Sequence, residues 1–378
     1  MGTSGLGALD GTLAVFCEEM LASLNRVDQR RWGTAYVRGL VHVPGRKSIR
    51  RISQFGAGQD AYQSLQQFLN QSPWSWSPVR RALADAVGRE RQPLAWVVRE
   101  VTFPKNGSSS VGVARQYSRS MGRMANCQLA TGVFLAGDFG GCPVNWRLHL
   151  PREWDGDAAR RGKSKVPEPV RWRPSWQIVL DAVEEMAAGW QLPRLPVVVD
   201  LTDEDAAEML LGALERRGFT YLAQVASGKD LAGGGRCGVT AGQAVAAALR
   251  TGGGTAVAVR GGGRPRSVFT LAAAAQPGRA GSGRAGRQRR VLADWSWGPA
   301  RPRALWLTNH PGGDAADLAR AAGMWDRSAE ALEALESEGG LLHFEGRSFR
   351  GWHHHVTLVA LAHGFRMLSR AAARRLVG

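Results

Sequence analysis

Apolar residues recur at three- and four-residue spacing through Leu13, Phe16, Met20 and Leu21, and again through Leu65, Phe68 and Leu69. That spacing keeps them on one face of a helix. Between the two runs lies the basic turn Pro44-Gly45-Arg46-Lys47-Ser48-Ile49-Arg50-Arg51. The segment Ser72-Pro73-Trp74-Ser75-Trp76-Ser77-Pro78 breaks the pattern and predicts a fresh helix, with Ser77 as its cap and Pro78 in its first turn. Residues 1–90 thus read as a small helical domain. From Leu94 the period changes. Leu94–Val101, Val111–Ala114 and Leu129–Ala136 are rich in branched and aromatic residues, as buried strands are. Further strand-like runs surround Leu148 and span Leu195–Val199, with an amphipathic helix from about Trp176 to Trp190 between them. Strands followed by a crossing helix and another strand imply a mixed α/β sheet.

The pattern dissolves from about Ser227 to Arg290, where Gly, Ala and Arg dominate and residues 260–290 carry eight Arg and no Asp or Glu. This reads either as a short-stranded insertion or as a partly disordered arm. Order returns with the strand signal Arg303-Ala304-Leu305-Trp306-Leu307-Thr308, then helices from about Ala315 to Glu338 and from about His353 onward. The expected organisation is a helical domain over 1–90, one α/β core over 91–226 and 295–378, and an insertion over 227–294.

Charge adds a partner to this picture. With 49 Lys plus Arg against 32 Asp plus Glu, the formal net charge is +17, which points to a polyanion and gives the N-terminal helices the look of a DNA-binding domain. A GC-rich coding bias toward Arg would raise the charge without any nucleic acid. Cys17, Cys127, Cys142 and Cys237 form no CxxC pair, so neither a zinc ribbon nor a disulfide framework is suggested. No apolar run approaches the ~20 residues of a membrane helix, and the expectation is a cytoplasmic protein with no membrane partner.

The chemistry-bearing segments come in a fixed order. Phe103-Pro104-Lys105-Asn106-Gly107 precedes Ser110-Val111-Gly112-Val113-Ala114-Arg115-Gln116-Tyr117, then Asn126-Cys127-Gln128 and Asn145-Trp146-Arg147-Leu148. Near the C-terminus stand His343-Phe344-Glu345-Gly346-Arg347-Ser348 and Gly351-Trp352-His353-His354-His355-Val356. Together they closely resemble the signature of one group of bacterial insertion-sequence transposases of the DDE, RNase H-like superfamily. The resemblance covers nearly the whole chain and is weakest in the Arg-rich insertion. It implies an RNase H-like mixed sheet flanked by helices, in which two Asp and one Glu hold two divalent cations. Magnesium suits such a carboxylate site.

Several of the implied acids are missing. Where the resemblance places the first Asp, just before the Phe-Pro-Lys element, this chain has Arg99-Glu100-Val101-Thr102. An Arg cannot ligate a cation and repels one, whereas Glu100 sits one residue along, on the opposite strand face. Asp200, ending Val197-Val198-Val199-Asp200, matches the second Asp. Counting back without a gap from the closing motif puts Ala322, Trp325, Ala329 and Glu336 where a Tyr, Arg, Glu and Lys are implied. Glu330 is one residue off. The candidate catalytic set is therefore a remnant or shifted triad of Glu100, Asp200 and Glu330, with Arg99 and Ala329 at expected acidic positions.

Other signals have plainer readings. Asp200 could simply cap the next helix, and Glu345 has a structural role in the closing motif. Three consecutive His on a helix point about 100° apart and cannot converge on one ion, so His353-His354-His355 reads as packed core. Gly233-Gly234-Gly235 and Gly261-Gly262-Gly263 lack the ending of a phosphate loop. Trp32, Trp96, Trp146 and Trp306 read as core, while Trp74 and Trp76 flank basic residues and could stack on a base.

Three functions follow as expectations. The leading one is a transposase-derived protein that binds duplex DNA through phosphates but has lost or greatly weakened metal-dependent cleavage, with no cofactor. Its candidate contacts are Arg46, Lys47, Arg50, Arg51, Lys105, Arg115, Arg284, Arg287, Arg289 and Arg290. The second is a scaffold repurposed for a small-molecule ligand. The third is an active transposase that uses the shifted carboxylates with Mg. A homodimer is compatible with all three.

Overall fold

The computed structural model describes residues 3–55, 61–203, 206–231, 239–251, 255–261, 264–271, 289–295, 302–312 and 314–375. These form two compact units: one made of 1–93, 99–192 and 328–378, the other of 94–98 and 193–327. The first unit is thus assembled from three separate stretches of chain. The helices α1 (Thr3–Met20), α2 (Val27–His42), α3 (Ile49–Gln54), α4 (Ala61–Asn70) and α5 (Trp76–Glu90) precede β1 (Ala95–Pro104), a strand whose first residues belong to the second unit. Then come β2 (Ala114–Ser118), β3 (Arg123–Gly137), β4 (Gly140–Leu148), α6 (Ala158–Lys163) and α7 (Ser175–Glu184).

Within this first unit β2 and β4 both pair antiparallel with β3, and β3 neighbours β1. The apolar run of β3 from Cys127 to Gly137 is buried throughout. The strand expected from Val111 starts only at Ala114. Gly112 turns the chain with φ +69°, and the amide of Val111 is spent on the Arg347 carbonyl at 3.1 Å.

The second unit continues with β5 (Val197–Asp200), α8 (Ala207–Arg216), β6 (Tyr221–Val225), α9 (Ala241–Thr251), β7 (Thr255–Gly261), β8 (Arg264–Leu271), β9 (Arg290–Trp295) and β10 (Ala304–Thr308). Strand β5 is parallel to β1 and to β6. Its Val197-Val198-Val199 run is fully buried, the mark of a parallel strand covered on both faces. Beyond β6 the order is β10, β9, β8, β7, all antiparallel. The described part of the Gly/Arg-rich insertion is therefore a helix and sheet-extending strands. Helix α10 (Ala315–Ala334) leads back to the first unit, which α11 (Phe349–Arg375) completes.

Every residue of α11 from Gly351 to Ala362 is buried, as in a helix surrounded on all sides. It packs on α2, α4, α5 and β4. Polar groups this deep need partners, and all but the Trp352 Nε1–H have them among the described residues. Arg80 Nε donates to Thr357 Oγ1 at 2.8 Å, its Nη1 to the Trp146 carbonyl at 2.8 Å, and its Nη2 reaches His353 Nδ1 at 3.1 Å. Burial lowers the Arg80 pKa to about 9, against the opposing pull of Glu185.

Three expectations about this unit change. Helix α5 begins at Trp76 with Ser75 as its N-cap. The Ser77 hydroxyl instead donates to Glu185 Oε1 at 2.9 Å, and Pro78 falls third in the helix, where an amide still lacks an intrahelical partner. Trp74 and Trp76 stack on the protein's own His354 and His353, with ring centroids at 3.7 and 4.4 Å. Trp32 is half-buried under Arg31, not core, whereas Trp96, Trp146 and Trp306 are buried.

Candidate nucleic-acid interface

The middle of β1 and the chain just beyond it carry different chemistry. At the middle, Arg99 Nε donates to Ser328 Oγ at 2.6 Å. Ser328 is fully buried on α10 and immediately precedes Ala329. Glu100 lies close enough to Cys127 to add to the burial that raises that thiol's pKa. Glu330 is exposed. In the second unit, Asp200 Oδ1 accepts from the Thr202 amide at 2.9 Å and the Thr202 hydroxyl at 2.7 Å, a local turn that closes the strand end. The ladder between β1 and β5 runs from Trp96↔Val197 to Val98↔Val199. Within the second unit, the strand ending at Asp200 therefore lies beside the first residues of β1. Among the described residues no three His, Cys, Asp or Glu side chains gather closely enough to hold a metal ion.

At the far end of β1 the motif segments meet. Asn126 takes up both sides of the chain after the strand: its carbonyl accepts the Lys105 amide at 2.9 Å, and its Nδ2 donates to the carbonyls of Lys105 and Gly107 at 2.7 and 3.2 Å. Gln128 Nε2 holds the Val111 carbonyl at 2.6 Å. From the other side His355 anchors the closing motif. Tyr36 Oη is 3.0 Å from its Nδ1, while its Nε2 faces the carbonyls of Gly340 and Leu341 at 3.1 and 3.2 Å. A neutral ring fits this, with Tyr36 donating and Nε2–H donating in turn, and burial pushes its pKa down to about 4. The Phe344 ring stacks on His355 with centroids 5.3 Å apart. Gly346 has no room for a side chain, because a Cβ there would stand 2.2 Å from Phe344 Cζ.

Lys105 Nζ donates to the Phe344 carbonyl at 3.0 Å, and Arg46 Nη2 pairs with Glu345 Oε1 at 2.5 Å. Together with Asn106, Gly107, Ser109, Ser110, His343 and Arg347 these residues line a cavity of about 380 Å³. Burial depresses the Lys105 pKa, with Glu345 opposing. His343 is also depressed, first by burial and then by Arg46 and Lys47; its Nδ1 accepts the Lys47 amide at 3.0 Å.

The other expected DNA contacts fall into distinct settings. Arg50, Arg51 and Arg115 are exposed. Lys47 is buried, its ammonium donating to the Val43 carbonyl, and burial together with Arg366 and Arg51 lowers its pKa to about 8. Arg289 pairs with Glu208 and Glu215 at 2.9 and 2.8 Å, and Arg290 donates to the His310 carbonyl at 2.7 Å. Arg284, Arg287 and Cys237 lie outside the described residues. Two residues escaped the sequence reading. Ser328 carries no charge to flag it, and Arg347 stood inside the quoted closing motif but in no run of basic residues.

A family model described as DDE superfamily endonuclease matches residues 19–233, more than half of the chain. The chain belongs to that family. Its mixed sheet with flanking helices is accordingly an α/β, RNase H-like fold. The match includes Arg99, Glu100, Lys105 and Asp200 and ends before α10 and the closing motif. No curated protein matches the chain. Among the described residues no helix is long and apolar enough to cross a membrane.

Proposed function

We propose that this DDE-family protein derives from a transposase, binds duplex DNA through its backbone phosphates, and has lost or greatly weakened metal-dependent strand cleavage. The observation that carries the reading is the bond from Arg99 Nε to Ser328 Oγ. It joins the place where the resemblance implies the first Asp to the residue next to the implied Glu. Two adjacent divalent cations need several shared carboxylate oxygens to offset their repulsion. A guanidinium there has the opposite charge, and one oxygen of Asp200 is already committed to Thr202. This donor set does not fit the metal pair. DNA binding is supported by the net charge of +17, by exposed Arg50, Arg51 and Arg115, and by the family.

The test compares wild type with the Arg99→Asp, Ala329→Glu double variant, reading divalent-ion binding by calorimetry and cleavage of supercoiled plasmid. Wild type is expected to bind no pair of divalent ions and to leave the plasmid intact, with ion binding gained in the double variant. Cleavage by wild type that Glu100→Gln or Glu330→Gln abolishes would establish the shifted triad instead.

A further inference from the structure

We infer that the cavity between Lys105, Arg46 and Arg347 is a phosphate-binding site that seats one phosphodiester of a DNA strand. The inference rests on the DNA-binding reading above and names where a strand would be held in register. Three segments far apart in sequence build the cavity: the basic turn before α3, the loop after β1, and the closing motif before α11. Three cations, Arg46, Lys105 and Arg347, face the single carboxylate of Glu345. His343 adds no charge near neutral pH, since its ring serves as acceptor for the Lys47 amide.

The donors are available. The Lys105 ammonium has three N–H groups and spends one on the Phe344 carbonyl. Arg347 is exposed, and among the described residues its guanidinium makes no hydrogen bond or ion pair, although its backbone is fixed by Val111. The loop adds more: among the described residues the amides of Asn106, Gly107, Ser109 and Ser110 donate to no partner. Its carbonyls at Lys105 and Gly107 are turned to Asn126. Unspent amides beside cations make an anion-binding concavity, and charge-assisted bonds to phosphate are the strong ones.

The position of Glu345 gives the inference its sharpest consequence. It pairs with Arg46 where both side chains are more than half exposed, a pair of small worth to stability. A phosphate entering the cavity competes with that carboxylate for Arg46. Removing the Glu345 charge therefore favours the anion, whereas removing Arg347 or Lys105 opposes it. A merely structural set of residues would not give effects of opposite sign.

The experiment uses the full chain and a labelled duplex, with binding followed by fluorescence anisotropy from 50 to 200 mM salt. Arg347→Gln and Lys105→Met are each expected to weaken binding about tenfold at low salt. Each should also reduce the slope of log affinity against log salt, and the two together by no more than about 0.9, the value for one phosphate contact. Glu345→Gln should tighten binding a few-fold. Arg347→Gln touches no described side-chain partner and serves as the variant whose folding is not in question. If wild type binds DNA and none of the three substitutions changes affinity or slope, the cavity is not the phosphate site and the DNA-binding reading survives. If wild type binds no DNA at low salt, that reading fails, and calorimetry with inorganic phosphate decides the cavity alone. Phosphate binding lost in Arg347→Gln would then assign it to a free phosphate ligand, and no binding would overturn it.

Discussion

Strand β1 offers a comparison within six residues. At Arg99 the chain departs from the acid that the resemblance implies, and the new side chain is taken up by Ser328. At Lys105 the motif is kept, and the side chain is held by the Phe344 carbonyl beside an open cavity. On the proposed reading, one end of the comparison, Arg99, makes an internal bond where a ligand is implied, while the other, Lys105, keeps a cation beside a cavity. Parts of a scaffold that position a polyanion can persist after the parts that cut it have changed, because phosphate contacts need only charge and donors. A metal pair needs a complete acid set.

The most drastic test removes both ends at once. His149 and His355 are pushed down to about 4 and His354 to about 3, each first by burial. In the unfolded chain a His titrates near 6.5, so below that pH the unfolded state binds more protons and stability falls with pH. The stability these groups contribute is complete above about pH 6.5 and is lost as pH drops toward about 4 and then 3. Chemical denaturation at pH 7.5, 6 and 4.5 should show a loss of several kcal/mol. A flat profile would mean that these rings are hydrated.

A second test separates the two ends. Gly346→Ala places a methyl group against the Phe344 ring and should cost about 1–3 kcal/mol by overpacking. It should weaken DNA binding while leaving the backbone protection around Arg99 unchanged, as read by amide hydrogen exchange in β1. Asn126→Ala acts on the same end by releasing the carbonyls of Lys105 and Gly107, with about 1–2 kcal/mol lost in thermal unfolding. The smallest effect belongs to the other end. Ser328→Ala removes one partner of Arg99 and should cost about 1 kcal/mol, with DNA affinity unaltered. A large fall in DNA affinity for Ser328→Ala would tie the two ends together and break the comparison.

Much of the fold could be read from local pattern. The run from Leu195 to Val199 announced a strand, and the segment from His353 announced a helix. The sequence motifs proved to be residues that hold one another: Asn126 and Gln128 fix the loop after β1, while Asn145 Nδ2 and Arg147 Nη2 share Glu185 Oε2 at 2.9 Å each. What could not be read depends on contacts between distant residues. Nothing near Trp74 in the sequence indicates that His354 lies on its ring, and nothing near Arg46 indicates Glu345. Arg289 looks like any other Arg of a basic run until Glu208 and Glu215 are brought beside it. Charge runs report composition, and only the fold tells which cations are already answered by carboxylates.

The way α11 is seated has a consequence for how the protein comes into being. Its buried stretch lies against α2, α4 and α5, so these helices have their apolar faces closed by one that follows far later in the chain. Domains generally fold as units in the order of synthesis, yet here α2, α4 and α5 must wait for α11 to be made. Until then Leu40, Leu65 and Leu83, all buried in the finished protein, belong to helices that lack one packing partner. A chain cut short before α11 should be a client of chaperones and a target of proteases, and a free fragment of residues 1–90 should not persist as an independent folded body.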